Sequence, residues 1–304
     1  MNILLVSYLD NGGSLQQLCN ALNKYTEHTA RHLNFEQTWL EYDVDLKAKD
    51  YRNEELQELL KDSEFFIFSE MIPKRFMDLG FKLTRTNTII RCFGGIARKG
   101  KEAYRARWIK DFTTFTSGGF DPTIHPYLGF VAYHIPNIYE FSEFPKVHKG
   151  NKIKICHAAT NKELKSTQKV VDTLWELERD FGIETMIIHG VPWKETIKLK
   201  SECHITIDQF KLGTYASSAI ESMYMGHTVV SRLSHFVRSM HPDIPIVQAT
   251  EETLYDVIKK LLFDSNSIEV IGKQGHEYAM REHDAKTNIV KWVNLIDWVK
   301  TGFK

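Results

Sequence analysis

The chain has 304 residues, with 39 Lys+Arg against 39 Asp+Glu, so its formal charges cancel at neutral pH. Hydrophobic residues at 42% and charged residues at 26% are proportions of a folded globular chain and exclude disorder, collagen-like repeats and a mucin-like stalk. The length fits two domains of roughly 100–200 residues, each able to bury its own core.

The first residues, Met1-Asn2-Ile3-Leu4-Leu5-Val6-Ser7, lack the basic and long apolar regions of a signal peptide, and no later run approaches the ~18 apolar residues of a membrane span. A cytoplasmic location is expected. Cys19, Cys92, Cys156 and Cys203 lie far apart without a C-x-x-C pair, which reads as reduced, mostly buried thiols and not as a zinc ribbon or disulfide framework.

In chain order, Asn2 to Ser7 reads as a strand and a helix follows from about Ser14. Glu64 to Phe68 precedes a short helix, and Thr88 to Phe93 precedes another. Short β-rich runs alternating with helical periods are the mark of βαβ units and a parallel sheet. The pattern pauses over residues 139 to 151, with Pro145 and Gly150, which reads as a linker. It then resumes as strand 152 to 157, helix 165 to 179, strand 183 to 189, helix 193 to 201, strand 203 to 208, helix 216 to 225 and strand 227 to 231. After Glu251 the chain is mostly helical through Trp298. The expected fold is α/β, two doubly wound Rossmann-like domains facing across a cleft at the carboxyl ends of their sheets, where ligands of such folds bind.

Three loops carry candidate chemistry. Gly12 and Gly13, between the first strand and its helix, permit close backbone approach, and the helix N-terminus offers N–H groups to an anion; an ordinary turn is the other reading. No G-x-G-x-x-G fingerprint is present, so NAD and FAD are not favoured. In Asp208-Gln209-Phe210-Lys211-Leu212-Gly213-Thr214-Tyr215-Ala216-Ser217-Ser218-Ala219-Ile220-Glu221, a strand ends in a loop of small residues before a helix. The amides of Ala216, Ser217 and Ser218 suit a diphosphate, and Glu221 suits the vicinal hydroxyls of a ribose. The alternative is a plain helix cap with Glu221 as a solvated first-turn acid. In His157-Ala158-Ala159-Thr160-Asn161-Lys162-Glu163-Leu164-Lys165, a strand enters a polar loop whose Lys162 and Lys165 suit phosphates, with solvated lysines as the alternative.

These pieces, in this order, resemble the GT-B glycosyltransferases, specifically the retaining enzymes of glycosyltransferase family 4. Lys165-Ser166 matches the Lys of the family's phosphate-binding Arg/Lys pair. Residues 212 to 229 align with E-G-F-G-x-x-x-x-E-A-M-A-x-G-x-P-V, so that Glu221 takes the second, ribose-binding Glu. Gly213 stands where the first Glu is usual, Ala216 replaces a glycine and Thr228 a proline. Gly12-Gly13 matches the N-terminal glycine loop, and Ile135-Pro136-Asn137 resembles the segment before the interdomain linker. Phe93-Gly94-Gly95 falls where many members have His-Gly.

The resemblance implies an acceptor domain over 1–148, a nucleotide-sugar domain over 149–282 and a C-terminal helix over 283–304 packing back on the first domain. It implies transfer of a sugar, with retention, from a nucleotide-sugar, most often a UDP-sugar, to a hydroxyl, with no obligatory metal or other cofactor. Lys165, Lys162 and His125 are the implied catalytic candidates. Gly12, Gly13, Thr160, Asn161, Lys165, Gly213, Ala216, Ser217, Ser218 and Glu221 are the donor-site candidates.

Charge neutrality hides an uneven distribution. Residues 1 to 70 hold 6 basic and 13 acidic side chains, and residues 71 to 110 hold 11 and 2. Arg91, Arg98, Lys99, Lys101, Arg105 and Arg107, with Tyr104 and Trp108 among them, form a basic stripe on the expected acceptor domain. It suits an anionic acceptor: a glycolipid or polysaccharide precursor, with peripheral membrane contact, or hydroxymethylated DNA. A solvated face, a non-catalytic polyanion-binding protein and a sugar-nucleotide epimerase are the competing readings.

Overall fold

A computed structural model describes residues 1–10, 12–92, 112–116 and 132–302. The described residues form two compact units. The first takes those from Met1 to Glu140 and from Asp284 onward; the second is Phe141–His283.

The first unit contains β1 (Asn2–Leu9), β2 (Thr29–Glu36), β3 (Leu46–Lys47), β4 (Phe65–Ser69), β5 (Thr88–Cys92), β6 (Thr113–Thr116) and β7 (Ala132–His134). They form one parallel sheet in the order β3-β2-β1-β4-β5-β6-β7. Alternate residues of a strand face opposite ways, and this sheet is covered on both faces. Ile3 and Leu5 of β1, with Phe65, Ile67 and Ile89, pack against Leu15, Leu18 and Leu22 of α1 (Ser14–Tyr25) and against Ile289, Trp292 and Ile296 of the C-terminal helix (Ala285–Lys300). Leu4 and Val6, with Phe66, Phe68 and Ile90, pack against α2 (Asn53–Leu60) and α3 (Lys74–Met77) through Leu56, Leu60 and Phe76.

The C-terminal helix is fixed at its start by Asp284, which accepts the Thr287 N–H at 3.0 Å, while the Ala285 N–H reaches Tyr139 O at 2.9 Å. β2 has no sequence signal of the kind seen in β1, because half of it is polar. Its buried His32 and Asn34 bond to Ser7 Oγ at 2.8 and 2.6 Å, so the polar atoms are met inside the sheet.

The second unit contains β8 (Lys154–Ala158), β9 (Glu184–Ile188), β10 (Ile205–Ile207), β11 (Thr228–Ser231) and β12 (Ile246–Gln248), all parallel, in the order β12-β11-β10-β8-β9. Helices α4 (Thr167–Phe181), α5 (Trp193–Lys200), α6 (Ser217–Tyr224), α7 (His235–Met240), α8 (Leu254–Phe263) and α9 (Ser265–His283) complete it. Ile155, Ile205, Ile207 and Val230 meet Val170, Leu174 and Leu177 of α4 and Ile258 and Leu261 of α8.

Residues 141 to 148, within the expected linker, are anchored in this unit. Phe141 stacks on Tyr224 at 4.1 Å, Phe144 meets Trp193 and Tyr224 edge-on, and the His148 N–H reaches Ser201 O at 3.0 Å. All four cysteines are buried thiols. No described helix is long and apolar enough to cross a membrane.

Helix α9 crosses the turn after α6 so closely that a Cβ on Gly272 would lie 2.2 Å from the carbonyl oxygen of Gly226. Backbone cannot yield there as a flexible side chain would. Gly272→Ala is expected to destabilise the protein by ~1–3 kcal/mol, read as a lower denaturation midpoint with an unchanged slope.

Candidate functional site

In the second sheet the order reverses between β8 and β10, so the connections leaving these two strands diverge and open a crevice at their carboxyl ends. The chain places charged groups there. Lys165, from the loop after β8, donates to Asp208 Oδ1 at 2.6 Å and to the Ala158 carbonyl at 2.9 Å, and its side chain is 13% exposed. Asp208, directly after β10, is fully buried, and its Oδ2 has no partner among the described residues.

Beneath this pair, His157 uses Nδ1 toward the Ile207 carbonyl at 2.9 Å and Nε2 toward Thr167 Oγ1 at 3.0 Å. A carbonyl only accepts, so Nδ1 carries the proton and Nε2 receives the Thr167 hydroxyl. Burial, reinforced by the Lys165 charge, pushes its pKa down to about 4, so the ring is neutral near pH 7.

Thr160, Asn161 and Lys162 are exposed on the same loop. Asn161 Oδ1 receives the Leu164 N–H at 3.0 Å, so this side chain shapes the turn that delivers Lys165. Ser166 adopts a left-handed φ of 54° and donates to Glu251 Oε1 at 2.6 Å.

The loop from β10 to α6 is braced by Gln209. Its Oε1 accepts the Leu212 N–H at 2.8 Å, its Nε2 donates to the Thr214 carbonyl, and its own carbonyl accepts from Ser231 Oγ and the Arg232 N–H. Gly213 has φ +67°, and a Cβ there would stand 3.2 Å from that of Ser234. Its role is therefore a tight turn, where the family pattern has a carboxylate. Ala216 is extended and exposed, and α6 begins after it. The N–H groups of Ser217 and Ser218 meet no acceptor among the described residues, leaving the positive end of the helix open to an anion.

Glu221 is not the open double acceptor that the alignment implies. It is 3% exposed; Oε1 receives Trp193 Nε1–H at 2.9 Å and Oε2 receives Lys200 Nζ at 2.9 Å. Lys200, fully buried, also donates to the carbonyl and Oγ of Ser218 at 2.9 and 3.4 Å. Lys200 and Trp193 lie on one helix, seven residues apart, a spacing that puts both on one face. Sequence reading passed over them because a lysine in α5 looks like an ordinary surface charge.

In the first unit the Gly12-Gly13 turn does not leave α1 open. Asp10 accepts the N–H groups of Ser14, Leu15 and Gln16 at 3.1, 3.0 and 3.3 Å, so a carboxylate of the chain sits where an anion was expected. Gly13 has φ +63°, and a Cβ there would meet the Tyr42 ring at 2.3 Å. Arg91 belongs to no surface stripe. It is 1% exposed, donates to Asn137 Oδ1 and lies 5.2 Å from the Trp292 ring centroid, and burial lowers its pKa to about 9. Arg98, Lys99, Lys101, Arg105, Arg107 and His125 lie outside the described residues. Among the described residues no cluster of three or more His, Cys, Asp or Glu is placed to hold a metal ion.

The chain matches no protein-family profile and no curated protein in sequence. Solved structures do match in shape, along nearly the whole of both chains. Sucrose-phosphate synthase from Thermosynechococcus elongatus superposes with a TM-score of 0.68 over 99% of this chain and 100% of its own, at 10% identity. The fold is GT-B. Anabaena HepE, solved with UDP and glucose, gives a TM-score of 0.66 at 10% identity, covering 98% of this chain and 99% of its own. An alpha-glucosyltransferase, solved with UDP and a 13-mer DNA, gives 0.64 at 10% identity, covering 98% and 100%. At such identities the likeness is one of fold, and the chemistry of this GT-B chain rests on its own residues.

Removing one partner of a buried ion pair leaves the other charge unpaired. Lys200→Met is therefore expected to destabilise the protein by ~3–5 kcal/mol, whereas Lys200→Met combined with Glu221→Gln recovers much of that loss in chemical denaturation. A histidine whose pKa falls on folding favours the folded state fully above its unfolded pKa and loses that contribution as pH falls through the folded one. His157 and His227 both drop from 6.5 to about 4 through burial, so stability is expected to decline between those two pH values. His157→Gln should flatten that slope when denaturation midpoints are compared across the range.

Proposed function

We propose that this GT-B chain is a glycosyltransferase that moves a sugar, with retention, from a UDP-sugar to a hydroxyl of an anionic acceptor. The observation that carries the reading is a partly exposed lysine in the loop after β8 and an open helix N-terminus in the connection after β10, the two strands that flank the switch point of the second sheet. Lys165 retains donor capacity, and the Ser217 and Ser218 amides face no acceptor among the described residues. A nucleoside diphosphate is a ligand for which such groups are suited, since they supply hydrogen bonds and positive potential without a metal ion.

In the reaction the bond between C1 of the sugar and the β-phosphate oxygen breaks, and the acceptor hydroxyl oxygen bonds to C1 on the same face. The hydroxyl proton passes to the departing diphosphate. Lys165 and the α6 amides stabilise the charge that gathers on the leaving oxygens, and exposed Lys162 adds to the local positive potential. Ala216, extended at the helix start, lets the diphosphate approach the backbone closely. Thr160 and Asn161 flank it from the β8 loop, and the Gly213 turn sets the course of the loop into α6.

For the acceptor, the basic run of residues 71 to 110, apart from the buried Arg91, supports a phosphate-bearing molecule, a lipid-linked or polysaccharide precursor first. A second reading, hydroxymethylated DNA, is supported by the same run and by the fold shared with the alpha-glucosyltransferase solved with UDP and DNA.

Three measurements bear on this. UDP is expected to raise the melting temperature more than uridine does. A screen of UDP-sugars against lipid-linked sugar, hydroxymethylated DNA and no acceptor should label one acceptor, whereas consumption of donor in the empty reaction alone points to an epimerase or hydrolase. Lys165→Met is expected to weaken UDP binding by roughly ten- to hundredfold, the value of a hydrogen bond to a charged group, with uridine little affected. A protein that neither binds UDP nor consumes any nucleotide-sugar is not a glycosyltransferase of this kind.

A further inference from the structure

The resemblance gives a role to Lys165 and none to the buried carboxylate beside it. Asp208 follows β10 at the switch point, its backbone fixed by its own N–H to the Val230 carbonyl at 2.9 Å. Its carboxylate is fully buried, with Oδ1 on Lys165 and Oδ2 without a partner among the described residues. A buried carboxylate with one idle oxygen is rare enough to need a reason, since it is retained at a loss of stability.

Hydrogen-bond counting on Lys165 supplies one. An ammonium has three N–H groups, and two of them are used, on Asp208 Oδ1 and the Ala158 carbonyl. With two directions fixed, the third is fixed as well, and the side chain as a whole keeps 13% of its surface exposed. The same carboxylate lowers the net charge that an incoming anion meets: lysine and aspartate together sum to zero, and His157 beneath them is neutral.

We propose that Asp208 is a positioning residue for the nucleoside diphosphate, aiming the third N–H of Lys165 at a phosphate oxygen while offsetting the lysine's charge so that the diphosphate is held loosely. This rests on the nucleotide-sugar reading above. Asp208 acts through Lys165, being sealed from contact with the ligand.

Asp208→Asn keeps an oxygen for Lys165 and deletes the charge. Calorimetric titration of the full chain with UDP and with uridine compares the two effects. The expected result is UDP binding at least about threefold tighter than in the wild type, the scale of a nearby charge a few ångströms from the ligand. Uridine affinity should be unchanged, and the gain should vanish when Lys165→Met is also present. Asp208→Glu retains the charge but displaces the oxygen by one methylene group. It is expected to weaken UDP and not uridine, and it decides the matter if the asparagine variant does not fold. Loss of UDP and uridine binding in step, no change with either variant, or a gain that survives without Lys165 overturns the proposal. A wild-type protein that fails to bind UDP overturns the underlying reading instead, so the two failures are distinct.

Discussion

Two ammonium groups, those of Lys165 and Lys200, lie inside the second unit, and the arrangement of its sheet edge follows from how they are accommodated. A lysine loses its hydration on burial and keeps its charge only if anions and carbonyls replace the water. Asp208 and the Ala158 carbonyl do this for one, and Glu221 and Ser218 for the other. These contacts tie β8 to β10 and α5 to α6. The loop between β10 and α6 is thereby anchored at both ends, with Gln209 bracing its middle. A mobile loop would have to be ordered by its ligand, at a loss of affinity; this one is ordered beforehand.

The two pairs differ in what they leave open. Lys200 uses all three N–H groups internally, and Trp193 takes the second oxygen of Glu221, so that pair is closed to any ligand. Lys165 uses two and is partly exposed. One lysine is thus a strut under the first turns of α6, and the other faces the crevice. Asp208 offsets the charge of Lys165, which shifts part of the burden of anion recognition to directed N–H groups and the helix dipole.

Much of the second unit was legible in the sequence because its inner strands β8, β10 and β11 are buried along nearly their whole length and read as short β-rich runs, and because the loops after β8 and β10 change abruptly to small and polar residues. β2 was not legible, since His32 and Asn34 are polar residues whose bonds to Ser7 form only when the strands are paired. The position of Glu221 in α6 was readable from the spacing of the motif, but its partners were not: Lys200 and Trp193 come from a separate helix, and a lysine carries no mark of burial in a linear sequence. Arg91 was misplaced for the same reason. A count of basic residues over a segment assumes that they share a surface, whereas Arg91 sits on an inner strand of a sheet covered on both faces, and all five residues of that strand are buried.

The first strand-to-helix turn shows why a glycine pair is weak grounds for an anion site. Both units are doubly wound, and α1, like α6, starts at the carboxyl edge of its sheet. Yet three leading amides of α1 are taken by Asp10, an acid three residues before the second glycine, while those of Ser217 and Ser218 in α6 meet no acceptor among the described residues. A carboxylate already bonded to the helix end repels a phosphate from that place and satisfies the dipole that would have drawn it. The loop into α6 contains no equivalent acid within reach: Asp208 is turned to Lys165, and Glu221 to Lys200 and Trp193. Of two similar helix ends, the chain has capped one with its own charge and diverted the carboxylates near the other. The proposed nucleotide site rests on that difference more than on any glycine.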